Sequence, residues 1–482
     1  MPNLTIEQFT ENPEVQKNLK ELKEHFGATN KVVSDVLDNE GNQYVNLVQK
    51  GGGVLGVALV GYTYILEEMG IRFLRLAGTS AGAINTALMV AIGDKKDAKS
   101  KGVLREICDL DFFSLVDGHP VARWLIKTFI THKQFGTQVK KIITIVLALL
   151  AFFFTADVLL LGLQTHYPAL AVFTKTSFVL TGFYLLLLGI VIAYTNTLLK
   201  RLKDSGFGIN PGDFFYDWLK QRFIKYGAGT ITELEKKAKD SPELHLRVDN
   251  PEGLKGLEGD VTFITSELVT QNKIEFPKMW NLFLAPENKD SLSPAGFVRA
   301  SMSIPIFFES YYINNIPTDN KGVQQAWLDT FGQQTVPEKA RFVDGGILSN
   351  FPVNIFYNKN VTIPRLPSFG IDLDDTDPKD NSIDAAGWSL FGFLGRMFNT
   401  IRFYYDKDFQ LKNKVFKKGI GSILLVQYNW LNFFLSDKDK IDMFVLGAKA
   451  ACEFLKGFDW QAFKNDRESM QQEIMKTSPT KN

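Results

Sequence analysis

Apolar runs of two lengths alternate in the first fifth of the chain. Residues 44–49 and 73–77 form strand-length runs, whereas residues 57–69 and 83–92 are apolar over the length of a helix. A helix that connects two neighbouring strands is the usual crossover of a parallel pair. The pattern therefore predicts a βαβ unit with a buried helix directly after its second strand.

Two longer apolar runs, residues 142–163 and 178–199, interrupt this globular pattern. As helices they would each extend about 33 Å, enough to cross a hydrocarbon core of ~30 Å. The linker between them carries one firm positive charge, Lys175, whereas basic residues flank the pair on both outer sides: Arg123, Lys127, Lys133, Lys140, Lys141, Lys200, Arg201 and Lys203. We predict a transmembrane hairpin insertion at 140–200 whose two flanks are cytoplasmic. The alternative, two buried helices of a soluble domain, agrees less well with the length and the low charge.

The globular pattern returns after about residue 205. It predicts strands at 261–268, 341–343, 367–373 and 423–428, and helices at 214–226 and 441–455. The chain is thus expected to consist of a polar N-terminal arm (1–40), one discontinuous domain (41–135 and 205–465), the hairpin insertion between its halves, and a polar tail (466–482). The acid within the first span, Asp157, is expected to face the neighbouring helix or another subunit.

Composition excludes several classes of function. The formal net charge is +1, from 54 basic and 53 acidic residues, so no nucleic-acid partner is indicated. Two cysteines do not form a disulfide framework, and the five histidines show no metal-ligand spacing. No basic segment followed by an apolar core opens the chain, which argues against a secretory signal. We expect no cofactor and no metal.

The strongest chemical signal is Gly78-Thr79-Ser80-Ala81-Gly82, which lies between the second predicted strand and the buried helix. It fits Gly-x-Ser-x-Gly, the nucleophile elbow, in which a sharp turn exposes a serine hydroxyl at a helix N-terminus. Gly78 and Gly82 would be small because the turn leaves no space for side chains. Ser80 is therefore the candidate nucleophile; the alternative is an ordinary turn of small residues.

A glycine loop, Gly51-Gly52-Gly53-Val54-Leu55-Gly56, precedes the first helix. Its spacing fits the dinucleotide fingerprint, but no acid follows at the end of the next strand, where a ribose would need one. A second interpretation is an oxyanion hole built from the N–H groups of Gly51, Gly52 and Gly53. Because the two strands are expected to be parallel, the loop would lie beside the serine elbow. We favour the oxyanion hole; a purely structural turn remains open.

A serine nucleophile needs a base, and no histidine follows a predicted strand end in the globular part. An aspartate can serve if it reaches the hydroxyl. Asp344 ends a short apolar strand and is followed by Gly345 and Gly346, which permit a tight turn. Taken alone, this motif is equally typical of a structural Asp-Gly turn.

Taken together and in this order, the glycine loop, the serine elbow and Asp344-Gly345-Gly346 resemble the patatin-like phospholipases. Smaller motifs agree with the resemblance, which covers about residues 44–456 without the hairpin: Ala300-Ser301, Ile304-Pro305, Ser349-Asn350, Pro352 and Leu435-Ser436-Asp437. It implies an α/β fold of three layers, α/β/α, a Ser80–Asp344 dyad with Asp344 as base, an oxyanion loop, and no metal. One departure is Leu55, where the family usually has Arg or Lys.

The resemblance and the hairpin together predict a lipid acyl hydrolase of the phospholipase or lysophospholipase type, tethered to the cytoplasmic face of a membrane. Membrane lipids would be both substrate and anchor, and the hairpin is also a candidate oligomerisation surface. Two alternatives stay open. One is a tethered esterase or thioesterase for soluble substrates, and the other is a catalytically idle membrane scaffold, which Leu55 makes conceivable.

Overall fold

The computed structural model describes residues 4–477 except 121–122, 124–134, 251, 359, 376–396, 398–399, 401–403 and 405. Two of the basic residues before the first predicted span, Lys127 and Lys133, lie outside this part. The chain separates into two compact units, one formed by Met1–Asp117 with Asn210–Asn482 and the other by Gly118–Ile209. The second unit is thus an insertion into the first.

Strands and helices follow one another along the chain as the hydrophobic pattern indicates. The strands are β1 (Val36–Asp38), β2 (Gln43–Gln49), β3 (Ile71–Thr79), β4 (Gly208–Asn210), β5 (Leu244–Leu246), β6 (Asp260–Glu267), β7 (Asn272–Phe276), β8 (Ile306–Phe308), β9 (Tyr311–Asn314), β10 (Lys339–Asp344), β11 (Ser368–Asp374) and β12 (Ile420–Leu424). The helices are α1 (Ile6–Thr10), α2 (Pro13–Thr29), α3 (Gly56–Glu68), α4 (Ala81–Ala91), α5 (Ser100–Cys108), α6 (Phe135–Gln164), α7 (Ala171–Asp204), α8 (Asp213–Lys225), α9 (Ile231–Lys239), α10 (Pro294–Ser301), α11 (Lys321–Phe331), α12 (Asp437–Gly457) and α13 (Trp460–Thr477).

A mixed sheet forms the centre of the first unit. Strands β12, β11, β2, β3 and β6 are neighbours in this order and all run parallel. Strands β7 and β10 pair antiparallel with β6, and β9 pairs antiparallel with β10. The chain therefore has a mixed α/β architecture. Because β2 and β3 are parallel, their carboxyl ends lie at the same end of the sheet.

The predicted βαβ unit is confirmed, since β2, α3 and β3 follow one another and the two strands are parallel. Helix α3 is buried along almost its whole length because α12 crosses it closely. A Cβ on Gly61 would overlap the carbonyl oxygen of Phe444, and a Cβ on Gly447 would overlap that of Ala58. Glycine at both positions lets the two helix backbones touch.

The second unit contains the two long apolar helices, α6 and α7, joined by a short turn at Pro168–Leu170. Both are long and apolar enough to cross a membrane, by length and composition. Their large apolar side chains are exposed; Phe154 and Val179, for example, are 68% and 71% exposed. Asp157 accepts a hydrogen bond from Ser177 Oγ, so it faces the neighbouring helix, one of the two expected positions.

Several elements were not predicted. The short strands β1, β4, β5, β7, β8 and β9 have too few residues for a period to emerge. Strand β12 begins three residues and ends four residues earlier than expected. Helix α13 extends to Thr477 and so includes the first part of the region expected to be a polar tail. Trp460 and Phe463 are buried on this helix, and so are Arg467 and Gln471 within that region, which shows that its first part packs against the domain.

Candidate active site

Ser80 lies between the end of β3 at Thr79 and the start of α4 at Ala81. Its backbone has φ 52° and ψ −119°, a region that a residue with a side chain adopts only under strain. The positions on either side leave no space, because a Cβ on Gly78 would overlap the backbone of Gly82. The structure thus has a sharp, strained turn at the serine, with the N-terminus of α4 directly after it.

Strands β3 and β10 meet end to end on one edge of β6. Strand β7 pairs with the last five residues of β6. Strand β3 pairs with the first five residues of β6, and β10 pairs with the last three. Because β7 overlaps both of them along β6, β3 and β10 share the edge opposite β7. Thr79 pairs with Ile264 and Asp344 pairs with Thr265. These partners are consecutive residues, about 3.3 Å apart along a strand. The opposed strands therefore bring the serine turn and Asp344 to the same point of the sheet.

Asp344 is buried, and its surroundings fix both its backbone and its carboxylate. Its N–H donates to the carbonyl oxygen of Ser303 at 2.8 Å, and its Oδ1 accepts from the N–H of Gly346 at 2.7 Å. The intervening Gly345 lies so close to β6 that a Cβ would overlap the carbonyl oxygen of Ile264. The Asp-Gly-Gly sequence thus allows a tight turn that holds the carboxylate in place.

The glycine loop lies beside the serine. A Cβ on Gly51 would lie 3.0 Å from Ser80 Cβ and 2.5 Å from Asn350 Oδ1. The N–H of Gly51 donates to the carbonyl oxygen of Asn350 at 3.0 Å, and Asn350 Nδ2 donates to that of Gly51 at 3.2 Å. Among the residues that the structure describes, neither the N–H of Gly52 nor the N–H of Gly53 donates a hydrogen bond. Of the three N–H groups predicted as oxyanion donors, that of Gly51 is therefore engaged within the protein.

The loop is held by contacts that no sequence motif indicated. Lys50 Nζ donates to Asp372 Oδ1 at 2.6 Å and to the carbonyl oxygen of Leu373 at 2.9 Å. Just after the glycines, the N–H of Val54 donates to the carbonyl oxygen of Trp430 at 3.0 Å. Leu55, where the resemblance leads one to expect a cation, is buried. The positive charge that anchors the loop thus belongs to Lys50.

Ser301 connects the serine turn to the neighbouring strand. Its Oγ accepts from the N–H of Ser80 at 3.0 Å and donates to the carbonyl oxygen of Ile264 at 2.5 Å. The side chain is fully buried. Ser301 belongs to a motif quoted above for the family resemblance, but the sequence does not reveal these partners, which come from distant parts of the chain.

Asp406 is a buried acid that sequence reasoning missed. Its carboxylate accepts from Ser349 Oγ and from the N–H of Phe351, both at 2.8 Å. Burial raises the pKa of Asp406, and these two hydrogen bonds act in the opposite direction. The carbonyl oxygen of Ser349 in turn accepts from Thr79 Oγ1 at 3.0 Å. Asp406 thus fixes the turn after Asp344 against the end of β3, although it lies in an aromatic stretch without a motif.

Two known proteins are similar to this chain over most of its length. The uncharacterized protein YqhO of Bacillus subtilis (strain 168) is 24% identical over 416 residues, which cover 86% of this chain and 98% of the relative. A crystal structure of VipD from Legionella pneumophila aligns with 89% of this chain and 71% of its own, with a TM-score of 0.36 and 13% identity.

The family comparison covers the strands and turns described above. Residues 47–357 match the model of the patatin-like phospholipases, and this range contains the glycine loop, Ser80 and Asp344. It also contains the inserted hairpin. The chain therefore belongs to the patatin-like phospholipase family, which implies a hydrolase of lipid esters.

Proposed function

We propose that the chain is a membrane-tethered lipid acyl hydrolase that works through a Ser80–Asp344 dyad. The observation that supports this most is the end-to-end meeting of β3 and β10 on β6, with a strained serine at one end and a buried carboxylate at the other. Strain at a nucleophile is the kind of backbone cost that persists at functional sites. The three-layer arrangement of the hydrolase domain belongs to the same proposal.

The proposed reaction passes through an acyl-enzyme. Ser80 Oγ bonds to the carbonyl carbon of the ester while its proton passes to the Asp344 carboxylate. The tetrahedral intermediate then breaks its bond to the leaving oxygen, which takes that proton from Asp344. Water attacks the acyl-enzyme in the second step and gives a proton to Asp344. The second tetrahedral intermediate breaks its bond to Ser80 Oγ, which takes that proton, and the fatty acid is released. Both steps are acyl transfers, first to Ser80 and then to water, and neither changes an oxidation state.

The oxyanion of each step requires donors beside the serine. Gly52 and Gly53 are the proposed donors, because the N–H of Gly51 is already used by Asn350. Gly51 then has a different role: it leaves room beside Ser80 that a methyl group would fill. The N-terminus of α4 adds the partial positive charge of its free N–H groups.

The hairpin of α6 and α7 supplies the tether in this proposal. Its exposed apolar side chains need a covering, and a lipid bilayer would provide it. Both ends of the insertion return to the hydrolase unit, so both would lie on one side of the membrane, and the basic flanks support the cytoplasmic side. A tethered enzyme meets a substrate in the same bilayer at high effective concentration.

Vesicles of phosphatidylcholine with phosphatidylglycerol test the proposal. The wild type and Ser80→Ala are reconstituted, and released fatty acid and fluorophosphonate labelling are measured. We expect both signals in the wild type and neither in Ser80→Ala. Equal fatty-acid release by both proteins would exclude Ser80 as nucleophile. Labelling of the wild type without lipolysis would assign a soluble ester or thioester as substrate, and the absence of both signals would indicate a scaffold.

A further inference from the structure

Arg299 is a buried cation next to the active site, and the chemistry proposed above does not use it. It lies on α10, two residues before Ser301, and is 3% exposed. Burial lowers its pKa to about 10, while nearby carboxylates, Asp117 first among them, act in the opposite direction. A buried guanidinium is costly unless its donors find acceptors. Besides the carbonyl oxygen of Glu309, which accepts from Nη2 at 2.9 Å, and Met302 Sδ at 4.0 Å, Arg299 has two groups of acceptors with different locations in the chain.

One group lies where the chain returns from the inserted hairpin. Arg299 Nη2 donates to the carbonyl oxygen of Pro211 at 2.5 Å, and Nε donates to that of Gly212 at 3.2 Å. Gly212 has φ 74°, and a Cβ there would overlap the guanidinium. Glycine at this position thus meets two requirements at once: the left-handed backbone and the close approach of the arginine.

The other end of the insertion is tied to the same place. Asp117, the last residue before the inserted unit, accepts from the N–H of Gly212 at 2.9 Å and from that of Phe214 at 3.1 Å. Both bonds lie within the first unit. The segments that lead into and out of the hairpin are therefore joined to each other by Asp117 and to α10 by Arg299.

The second group of acceptors leads to the dyad. Arg299 Nη1 donates to Ser303 Oγ at 2.5 Å, and the carbonyl oxygen of Ser303 accepts from the N–H of Asp344 at 2.8 Å. Ser301, on the same helix end, accepts from the N–H of Ser80. The residues that follow Arg299 thus contact the backbones of both proposed catalytic residues.

We propose that Arg299 is a positioning residue that couples the base of the inserted hairpin to the geometry of Ser80 and Asp344. The base of the hairpin here means Asp117, Pro211 and Gly212, the residues that flank the insertion. The inference rests on the proposed function, because the coupled property is the rate at which Ser80 is acylated. The guanidinium group is rigid and planar. If Pro211 or Gly212 moves and Arg299 moves with it, Ser303 is displaced as well, because the same guanidinium donates to its Oγ. Displacements of ~1 Å at reacting groups can change a rate by about 100-fold. The state of the hairpin would thus influence catalysis without touching the substrate.

A double-mutant cycle in the full chain tests the coupling. Ser303→Ala removes an acceptor of Arg299 but keeps the carbonyl oxygen that holds Asp344, and Asp117→Asn keeps the shape of the side chain at the base of the hairpin. In phosphatidylcholine–phosphatidylglycerol vesicles, we expect each to lower kcat for a short soluble ester and the rate of fluorophosphonate labelling by about tenfold, with KM unchanged. The double variant should lose less than the product of the two effects.

A matched pair of arginine substitutions separates positioning from stability. Arg365 is also buried and, like Arg299, donates to backbone carbonyl oxygens, here those of Gly253 and Lys255. Arg299→Lys and Arg365→Lys should both lower the melting temperature, but only Arg299→Lys should lower kcat and slow labelling. If Arg299→Lys does not fold, the double-mutant cycle of Ser303→Ala and Asp117→Asn alone tests whether Arg299 couples the two sites.

Two results would overturn the coupling. One is strictly multiplicative effects in the cycle, and the other is labelling at the wild-type rate in Ser303→Ala. A wild type that neither labels nor cleaves esters would instead contradict the proposed function, so the two failures are distinguishable.

Discussion

The backbone N–H of Ser80 donates a hydrogen bond to the Oγ of Ser301 at 3.0 Å, across 221 positions of the sequence. The Oγ of Ser301 in turn donates a hydrogen bond to the carbonyl oxygen of Ile264 on β6. The turn that carries the proposed nucleophile is therefore fixed by a side chain from another helix, in addition to its own strand and helix. This bond makes the first prediction possible.

Replacing Ser301 with alanine should leave the Ser80 N–H and the Ile264 carbonyl oxygen without partners in a buried place. Each unsatisfied group costs about 1–3 kcal/mol in stability, so we expect a lower melting temperature. We also expect fluorophosphonate labelling of Ser80 to slow by about tenfold, because the turn is no longer held.

The control for this prediction lies on the same helix. Ser293 is the N-cap of α10, where it accepts from the N–H of Ala295 at 3.4 Å. Ser293→Ala should lose about 1 kcal/mol of stability and keep the labelling rate of the wild type. If both serine variants label equally fast, the Ser301 bond has no role in placing Ser80.

Glycine substitutions test whether the loop and the turn need their close contacts. Gly51→Ala places a methyl group 3.0 Å from Ser80 Cβ, and Gly82→Ala places one against the carbonyl oxygen of Gln49. Both should reduce kcat by tenfold or more, since either contact displaces the serine turn. Gly27→Ala on α2 has open space and should gain about 0.5–1 kcal/mol of stability, with unchanged activity. Normal activity of Gly51→Ala would show that catalysis does not depend on the close approach of Gly51 to Ser80.

The parts of the site that lie close together in sequence could be predicted. The apolar run before Ser80, the small residues around it and the apolar helix after it indicate a sharp turn between a strand and a helix. The same holds for the glycines after β2 and after Asp344, because runs of glycine indicate turns in which the backbone lies too close to its neighbours for side chains. Local sequence rules worked in these cases because each feature depends on residues within one turn or one strand.

Contacts between distant residues could not be predicted. Lys50 reaches Asp372, 322 positions away, and neither residue belongs to a motif. Strands β10 and β3 meet on one edge of β6 while β7 occupies the other, and an arrangement of four strands of this kind leaves no periodic signal in any one strand. The burial of Asp406 is a third case, since acids are normally exposed and nothing beside it indicates otherwise.

Asp406 provides a prediction of pH dependence. Its folded-state pKa is raised by burial above the unfolded value of about 3.9. The folded chain therefore binds the proton more tightly, and the stabilising contribution of Asp406 is present below that value and lost as the pH rises through the folded pKa. Asp406→Asn should remove this loss, because the amide can accept from the Phe351 N–H and donate to Ser349 Oγ. Melting temperatures of both proteins from pH 4 upward measure the difference.

A second substitution separates charge from hydrogen bonding at this position. Asp406→Ala leaves Ser349 Oγ and the Phe351 N–H without their acceptor and should cost about 1–3 kcal/mol for each group. It should also slow labelling of Ser80, since Ser349 contacts Thr79 at the end of β3. A melting temperature of Asp406→Asn that follows that of the wild type at every pH would show that the carboxyl does not titrate in this range.

The membrane hairpin is tested by the side from which its turn can be reached. Thr165 is exposed between α6 and the turn, and Asn288 is exposed in the hydrolase unit. In intact cells, Thr165→Cys should react with an impermeant maleimide, whereas Asn288→Cys should react only after permeabilisation, because the hydrolase unit is proposed to be cytoplasmic. The wild type controls for the native cysteines, of which Cys452 is buried and Cys108 partly so. Reaction of Thr165→Cys only after permeabilisation would mean that the hairpin does not span the membrane, and its exposed apolar side chains would then need another partner.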